Sequence, residues 1–348
     1  MSRWGYFLRR LVLAIPVIIF GTSITFLLIR VGPIDPAAAI LGPQQAGSPE
    51  YYRIRAQLGL DKPLWDQYIH FMVQMFTFNL PNSWVINPGT PANELILVFA
   101  PRTIWLGFWS VLIALFIGIP LGFYAGLHPN TFSDYFASFG GIVWRAMPNF
   151  WLAVILVSVL SQSKSLFGFD WASWIVHTNI VTPPDLTVFA HPLGLFTHPK
   201  QTWPQLAAAI KQIAPAAIVL GSASMGNEMR IGRTAVLETI HSNYIETARA
   251  KGVSRRSLVW KHVFRNALIP LVPIITGEAF LLLGGSVLVE IVFAINGLGW
   301  LFFQAAINGD LPLVGALLYL FILLLVGTNI LQDFLYTVID PRVGYERG

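Results

Sequence analysis

Three histidines, His177, His191 and His198, share one stretch of this sequence and invite a metal-site reading. Their spacings of 14 and 7 residues fit no zinc-binding arrangement. The chain has no cysteine, which excludes thiolate-bound zinc, iron–sulfur clusters, disulfides and thiol catalysis. No His-Glu-x-x-His, Gly-x-Ser-x-Gly or Gly-x-x-x-x-Gly-Lys-Ser/Thr run occurs, so neither metalloprotease, hydrolase nor nucleotide-hydrolysing chemistry is expected. We expect no metal, no cofactor and no catalytic set in this chain. Arg145 and Glu278 stand in strongly apolar stretches, where a charge costs about 2.5–3.5 kcal/mol at the centre of a membrane helix. Both are expected to face the interior of a bundle, as a structural pair or along a solute path.

What remains is a chemistry of docking, concentrated in residues 230–268. Asn243 and Glu246 have the spacing of a helix-capping box. A short helix is predicted over Tyr244–Lys251, stopped by Gly252 in a turn that needs a positive φ. Ala248 and Ala250 would let that helix approach a partner closely. A helix this short is marginal alone and needs contacts with something else. Ser254 is predicted to start a second helix, ending near Leu268 before Pro270, with Val259/Val263 and Trp260/Phe264 paired along one face. The simpler alternative is a solvated basic loop that only sets topology.

The elements that must position this loop are membrane spans. Of 348 residues, 55% are hydrophobic and 11% charged, against about 25% charged in an ordinary soluble domain. Mean hydropathy is +0.63. Disordered, coiled-coil and soluble-enzyme classes are excluded, and an all-α polytopic membrane bundle is expected. About 20 apolar residues span a bilayer as helix. Six stretches qualify, approximately Leu8–Ile29, Thr103–Leu127, Phe136–Leu160, Ile213–Met229, Ile269–Val289 and Leu313–Tyr336. Pro16, Pro120 and Pro273 fall inside spans, which membrane helices tolerate. In the fourth, Gly221, Ser222, Ser224 and Gly226 suit close helix packing. The first is too long for a signal sequence and reads as an uncleaved anchor.

Thirteen of the 22 lysines and arginines lie in three places: Arg3, Arg9 and Arg10; eight between Arg230 and Arg265; and Arg342 and Arg347. The positive-inside rule puts both termini and the 230–268 loop in the cytoplasm. The net charge of +5 reflects this asymmetry and not a nucleic-acid partner. The domain reading is an anchor helix over 1–30, an extracytoplasmic segment over 31–100, and a core over 101–348 carrying an extracytoplasmic insertion at 161–205. Within 31–100, Pro49–Leu60 is predicted to be helical, and Trp65, Tyr68 and Trp84 to be interfacial anchors.

Glu246-Thr247-Ala248-Arg249-Ala250-Lys251-Gly252 resembles the Glu-Ala-Ala-x-x-x-Gly loop of binding-protein-dependent ABC importer permeases, with Thr for the first Ala. His262, Arg265-Asn266-Ala267, Glu290, Phe293, Asn296-Gly297-Leu298-Gly299, Asp310, Asn329, Asp333, Tyr336 and Asp340-Pro341-Arg342 extend the resemblance to the dipeptide/oligopeptide/nickel branch. Leu58-Gly59-Leu60-Asp61-Lys62-Pro63 with Gln67-Tyr68 does the same near the N-terminus. Trp260-Lys261-His262-Val263-Phe264-Arg265-Asn266 is most similar to the Yej-type peptide permeases. Asn79-Leu80-Pro81-Asn82-Ser83 departs from the branch, which often has Gly-Asp-Leu-Gly-x-Ser there, and 161–205 matches nothing in it.

The resemblance implies a type I importer permease of six transmembrane helices in the bacterial inner membrane. Its implied partners are a second homologous permease, two ABC ATPase subunits or one fused ATPase chain that bind ATP and magnesium, and an extracytoplasmic solute-binding protein. Its implied cargo is peptides or peptide-like solutes, with nickel or another small solute as the alternative. Tyr244, Glu246, Ala248, Ala250 and Gly252 are the implied ATPase-coupling residues. An ion-coupled carrier working alone would predict an internal repeat, and none is visible.

Overall fold

The computed structural model describes residues 3–32, 35–171, 173, 197, 199–272, 274, 277 and 286–339. Their regular structure is helical, apart from one isolated bridge between Asn82 and Pro91. The helices are α1 (Arg3–Val31), α2 (Pro36–Leu41), α3 (Pro49–Gln57), α4 (Leu64–Phe76), α5 (Ala92–Ile113), α6 (Ile119–Leu127), α7 (Phe132–Tyr135), α8 (Gly141–Ala146) and α9 (Asn149–Ser161). There follow α10 (Ser163–Phe167), α11 (Pro199–Ile240), α12 (Asn243–Ala250), α13 (Arg255–Ser257), α14 (Phe264–Ala267), α15 (Val287–Val292), α16 (Leu298–Ile307) and α17 (Leu311–Ile339).

Among the described residues, four stretches are long and apolar enough to cross a membrane: Phe7–Val31, Ala92–Leu127, Thr202–Ile240 and Leu311–Leu335. A fifth forms if Phe132–Ala146 and Asn149–Ser161, bent 92° apart, count as one. That bend corrects the unbroken third span read from the sequence. Pro148 has no amide hydrogen, and it forces Met147 into extended backbone (φ −79°, ψ 127°), so the helix stops and restarts. Pro120 is accommodated differently. A π turn over Ala114–Gly118 joins α5 to α6, and the helix runs on. Most of the expected fifth span, with Glu278, lies outside the described residues, as do His177, His191 and His198. The short apolar helix α16 has no counterpart among the expected spans.

The chain divides into two compact units. One comprises residues up to Pro101 with Asn296–Asp333. Its core joins Phe26 and Ile29 of α1, Phe71 and Met75 of α4, and Leu311 and Tyr319 of α17. A second cluster joins Ala92 and Leu95 of α5, Leu298 and Leu301 of α16, and Leu313 and Leu317 of α17. The α4 pattern is simple: Gln67, Phe71 and Met75, four residues apart, form its buried row. Tyr68 and Trp84, expected as interfacial anchors, pack partly into this core. Tyr68 also shares a 2.9 Å hydrogen bond with Ser23 Oγ. Trp65 is exposed.

Two carboxylates organise the loops of this unit. Asp310 is fully buried at the start of α17. It accepts hydrogen bonds from Ser83 Oγ and from the amides of Trp84 (3.1 Å), Val85 (3.1 Å) and Ile86 (3.0 Å). Asp35 caps α2 through the amides of Ala37 and Ala38, and accepts from Tyr51 Oη (2.6 Å) and Arg55 Nη1 (3.1 Å) of α3. Burial pushes its pKa up. The Tyr51 hydroxyl, the two amides and the Arg55 guanidinium outweigh that and hold it below 3.8. A depressed folded pKa contributes stability above the unfolded value that is lost as pH falls through the folded one. Hydrogen-exchange protection of residues 35–58 is therefore expected to drop below about pH 4. Asp35→Asn should show the lower protection already at neutral pH. The effect is modest, about 0.2–1 kcal/mol, because the ion pair is half-exposed.

The other unit comprises Arg102–Ile295 with Phe334–Val343. Its axis is α11, and glycines govern how closely other helices approach it. Gly118, Gly122 and Gly126 recur every four residues through the π turn and α6. A Cβ at Gly122 would lie 2.5 Å from Met229 O; at Gly126, 2.7 Å from Val236 Cβ. Gly226 meets Gly141 of α8 equally closely, and Gly221 meets Ser110 of α5. The two glycines noted in the fourth span, Gly221 and Gly226, thus sit at backbone contacts.

Candidate coupling site

Residues 230–268 form a layer built on the C-terminal part of α11. Ser242, in extended backbone, precedes the first helical residue of α12. The cap differs from the expected capping box: Asn243 lies inside the helix, and no side chain caps it. Ser242 Oγ donates instead to Thr239 O at 2.6 Å, and the Ser242 carbonyl receives the amides of Ile245 and Glu246. Glu246 points to solvent on the first turn, where its charge complements the helix dipole.

The far end of α12 closes as the sequence predicts. Val253 N donates to Ala248 O at 3.2 Å and Gly252 N to Arg249 O at 2.9 Å, the two-bond motif that terminates helices at a left-handed residue. Gly252 has φ +77°, and nothing lies within 4 Å of where its Cβ would stand. Glycine is required there by backbone conformation alone.

The five predicted coupling residues divide between two faces. Ala248 is buried and faces inward with Ile245, into a cluster containing Val236 of α11, Phe123 of α6, Leu258, Val263 and Ala267. Tyr244, Glu246, Ala250 and Gly252 are exposed. Ala248 is small because the chain's own core lies beneath it; the outer surface of the helix is carried by Tyr244, Glu246, Thr247, Ala250 and Lys251. The second helix begins at Ser254, whose Oγ accepts from Ser257 N. It then widens into a π segment, Leu258–Val263, before α14. Trp260 packs against Phe264 with the rings tilted by 50° and their centroids 5.2 Å apart, and it remains exposed.

A groove of about 570 Å³ opens beside α12. Leu127, Leu237, Ile240, Val253 and Leu258 supply apolar walls, and His241, Arg249 and Arg255 supply its polar and cationic positions. The sequence did not reveal the ion pair that fixes the platform. Arg233 of α11 grips both carboxylate oxygens of Asp134 in α7 through Nε and Nη2. Asp134 is buried and also accepts from Asn130 N at 2.8 Å. The partners are 99 residues apart, so no local spacing announces them. Arg233→Ala leaves a buried carboxylate without its cation. It is expected to cost about 3–5 kcal/mol, visible as a lowered melting temperature of the detergent-solubilised chain.

Arg145, expected in the bundle interior, is exposed on this chain in the last turn of α8. Two further carboxyls are fully buried: Glu228 on α11, which the sequence reading did not single out, and Glu290, which it named only as part of the family resemblance and which accepts from Thr103 Oγ1 and Ser286 Oγ at 2.8 Å each.

A family model described as the binding-protein-dependent transport system inner membrane component matches residues 118–345, which include this whole site. The chain belongs to that family. A companion model for the N-terminal part of these membrane components matches residues 3–83. The oligopeptide transport system permease protein AppB of Bacillus subtilis is 30% identical over 343 residues, covering 98% of this chain and 99% of its own. The dipeptide transport system permease protein DppB of Alkalihalophilus pseudofirmus is 32% identical over 345 residues, with the same coverage. DppB of Escherichia coli K12 is 30% identical over 354 residues, again covering 98% and 99%. The permease is thus an inner membrane component of a multi-subunit transport system.

In a permease, the left-handed turn at Gly252 yields a graded prediction. Asparagine tolerates this conformation best among other residues, and β-branched residues worst. Uptake is expected to fall in the order Gly252, Gly252→Asn, Gly252→Ala, Gly252→Val, at equal membrane levels. A flat series would remove the turn from the mechanism.

Proposed function

We propose that the chain is one of two membrane subunits of an ABC importer for peptides or peptide-like solutes, with both termini and residues 230–268 in the cytoplasm. ATP hydrolysis in separate subunits drives transport, and an extracytoplasmic binding protein delivers the solute. The peptide assignment is supported by the names carried by the relatives over nearly their full lengths. The cytoplasmic placement is supported by the eight basic residues of the loop.

The observation that carries the mechanism is the two-faced α12. Its inner residues Ile245 and Ala248 are locked into the cluster that holds α11 and α6, while Tyr244, Glu246, Thr247, Ala250 and Lys251 are left uncovered. An ATPase surface that takes hold of the outer face moves the inner face with it. Dense packing transmits displacement instead of absorbing it, so α11 tilts when the ATPases close. The Asp134–Arg233 pair carries the same movement to α7. Arg145, exposed on this chain, is assigned to the interior completed by the second permease subunit.

The absence of cysteine makes the test direct. A single cysteine at Thr247 should cross-link to an engineered cysteine on the ATPase groove in inside-out vesicles, with a yield that changes on adding ATP. Labelling of Thr247→Cys from the extracytoplasmic side, or uptake driven by an ion gradient without the ATPase subunits, sinks the proposal.

A further inference from the structure

Helix α4 carries a row of apolar side chains that the chain itself does not cover. Trp65, Ile69 and Val73 follow each other at four-residue spacing and are 67%, 43% and 54% exposed. They lie on the side away from the buried row Gln67, Phe71 and Met75. Between the two rows run Asp66, His70 and Gln74, which line a cavity of about 880 Å³ together with Arg30 and Lys62. A second cavity of about 400 Å³ shares Arg30, His70 and Gln74 with the first. Arg30 lies one residue from the end of α1, where that span reaches its boundary. Its Nη1 is buried and has no hydrogen-bond partner among the described residues. A buried guanidinium donor left without an acceptor is costly. The lining sets two permanent cations, Arg30 and Lys62, against one carboxylate, Asp66, with His70 beside them.

We propose that this cleft holds the headgroup of an anionic phospholipid. Its phosphodiester accepts from Arg30, and an acyl chain runs along Trp65, Ile69 and Val73. Three features select this occupant over a soluble anion. The cation stands at the end of a membrane span. The apolar row adjoins the polar one along the same helix. Tryptophan at that row suits the interface between headgroups and chains. The lipid would fasten α4 to α1 at the membrane surface. The outer leaflet follows from the orientation proposed above, whereas the headgroup preference does not depend on it.

Native mass spectrometry of the assembled transporter, released from bilayers of phosphatidylglycerol and phosphatidylcholine, tests this without ATP or transported solute. The wild type is expected to retain phosphatidylglycerol preferentially. Arg30→Gln should lower that preference about fivefold, the contribution of one basic residue at an anionic surface, and Arg30→Lys should keep most of it. If Arg30→Gln fails to assemble, the double variant Lys62→Gln/His70→Gln carries the same expectation. A photoreactive residue at position 69 should label lipid. Equal lipid preference in wild type and variants, or labelling of a protein subunit in place of lipid, overturns the proposal. Loss of the peptide-importer reading would leave the lipid result unchanged.

Discussion

Gly122→Leu is expected to prevent α6 from seating on α11, and with it accumulation of the folded chain in the membrane. The obstacle is backbone. A Cβ at position 122 would meet Met229 O at 2.5 Å, Met229 Cα at 2.9 Å and Met229 C at 3.0 Å. Those atoms belong to a 42-residue helix that also contacts α5 and α8 through Gly221 and Gly226. Overpacking that side chains can absorb costs about 1–3 kcal/mol. Here two helices must separate, breaking the contacts of Gly118 and Gly126 as well, so on the order of 3 kcal/mol or more is expected. Membrane-fraction immunoblots and thermal melts in detergent measure it. Gly140→Ala and Gly232→Ala are the controls, because their Cβ atoms meet nothing closer than 3.6 Å and 3.8 Å. Equal accumulation of Gly122→Leu and the controls would show that the α6–α11 contact is not tight.

Ala248→Arg should reduce uptake to background while the chain still inserts. The side chain at 248 is buried against Ile245, Leu258 and Val263, where an arginine finds neither room nor a counter-charge. An uncompensated charge in such a place costs about 3–5 kcal/mol, more than an eight-residue helix can recover elsewhere. The displacement is centred on α12 and the cluster it shares with α6 and α11, while the apolar spans that direct insertion are unchanged. Ala250→Arg separates the inner face from the outer. It is exposed, so the fold tolerates it, and any loss of ATPase association or uptake reports on the docking surface. Wild-type uptake by Ala248→Arg would mean that α12 transmits nothing. Wild-type ATPase association by Ala250→Arg would remove the outer face as the contact.

The two variants show how unevenly the sequence announces its structure. Gly252 was legible because a helix ending in Lys-Gly with Val beyond it has one common conformation, and the backbone at that residue is decided locally. The Ser254 cap and the Pro49 helix were legible for the same reason. Ala248 was legible as important but not as to why. A small residue on a short helix suits a partner's groove or the chain's own core equally well, and only the position of Val236, Leu258 and Val263 decides between them. The third span was misread at Pro148, although the Met-Pro step carries the local signal for a break. Apolar composition continues across it, and hydropathy averages over the bend.

Composition alone determined that the chain is a bundle of membrane helices, since a bilayer leaves few alternatives for so apolar and charge-poor a sequence. Local patterning determined where a short basic loop carries a helix closed by glycine. The tertiary structure decided what no window of neighbouring residues contains. It decided that Gly118, Gly122 and Gly126 face α11, that Asp134 holds Arg233 from 99 residues away, and that Asp310 gathers the amides of residues 84–86. The physical reason is range. Backbone conformation and hydropathy depend on adjacent residues, whereas close packing and buried charge pairing depend on which distant segments the fold brings to the same place.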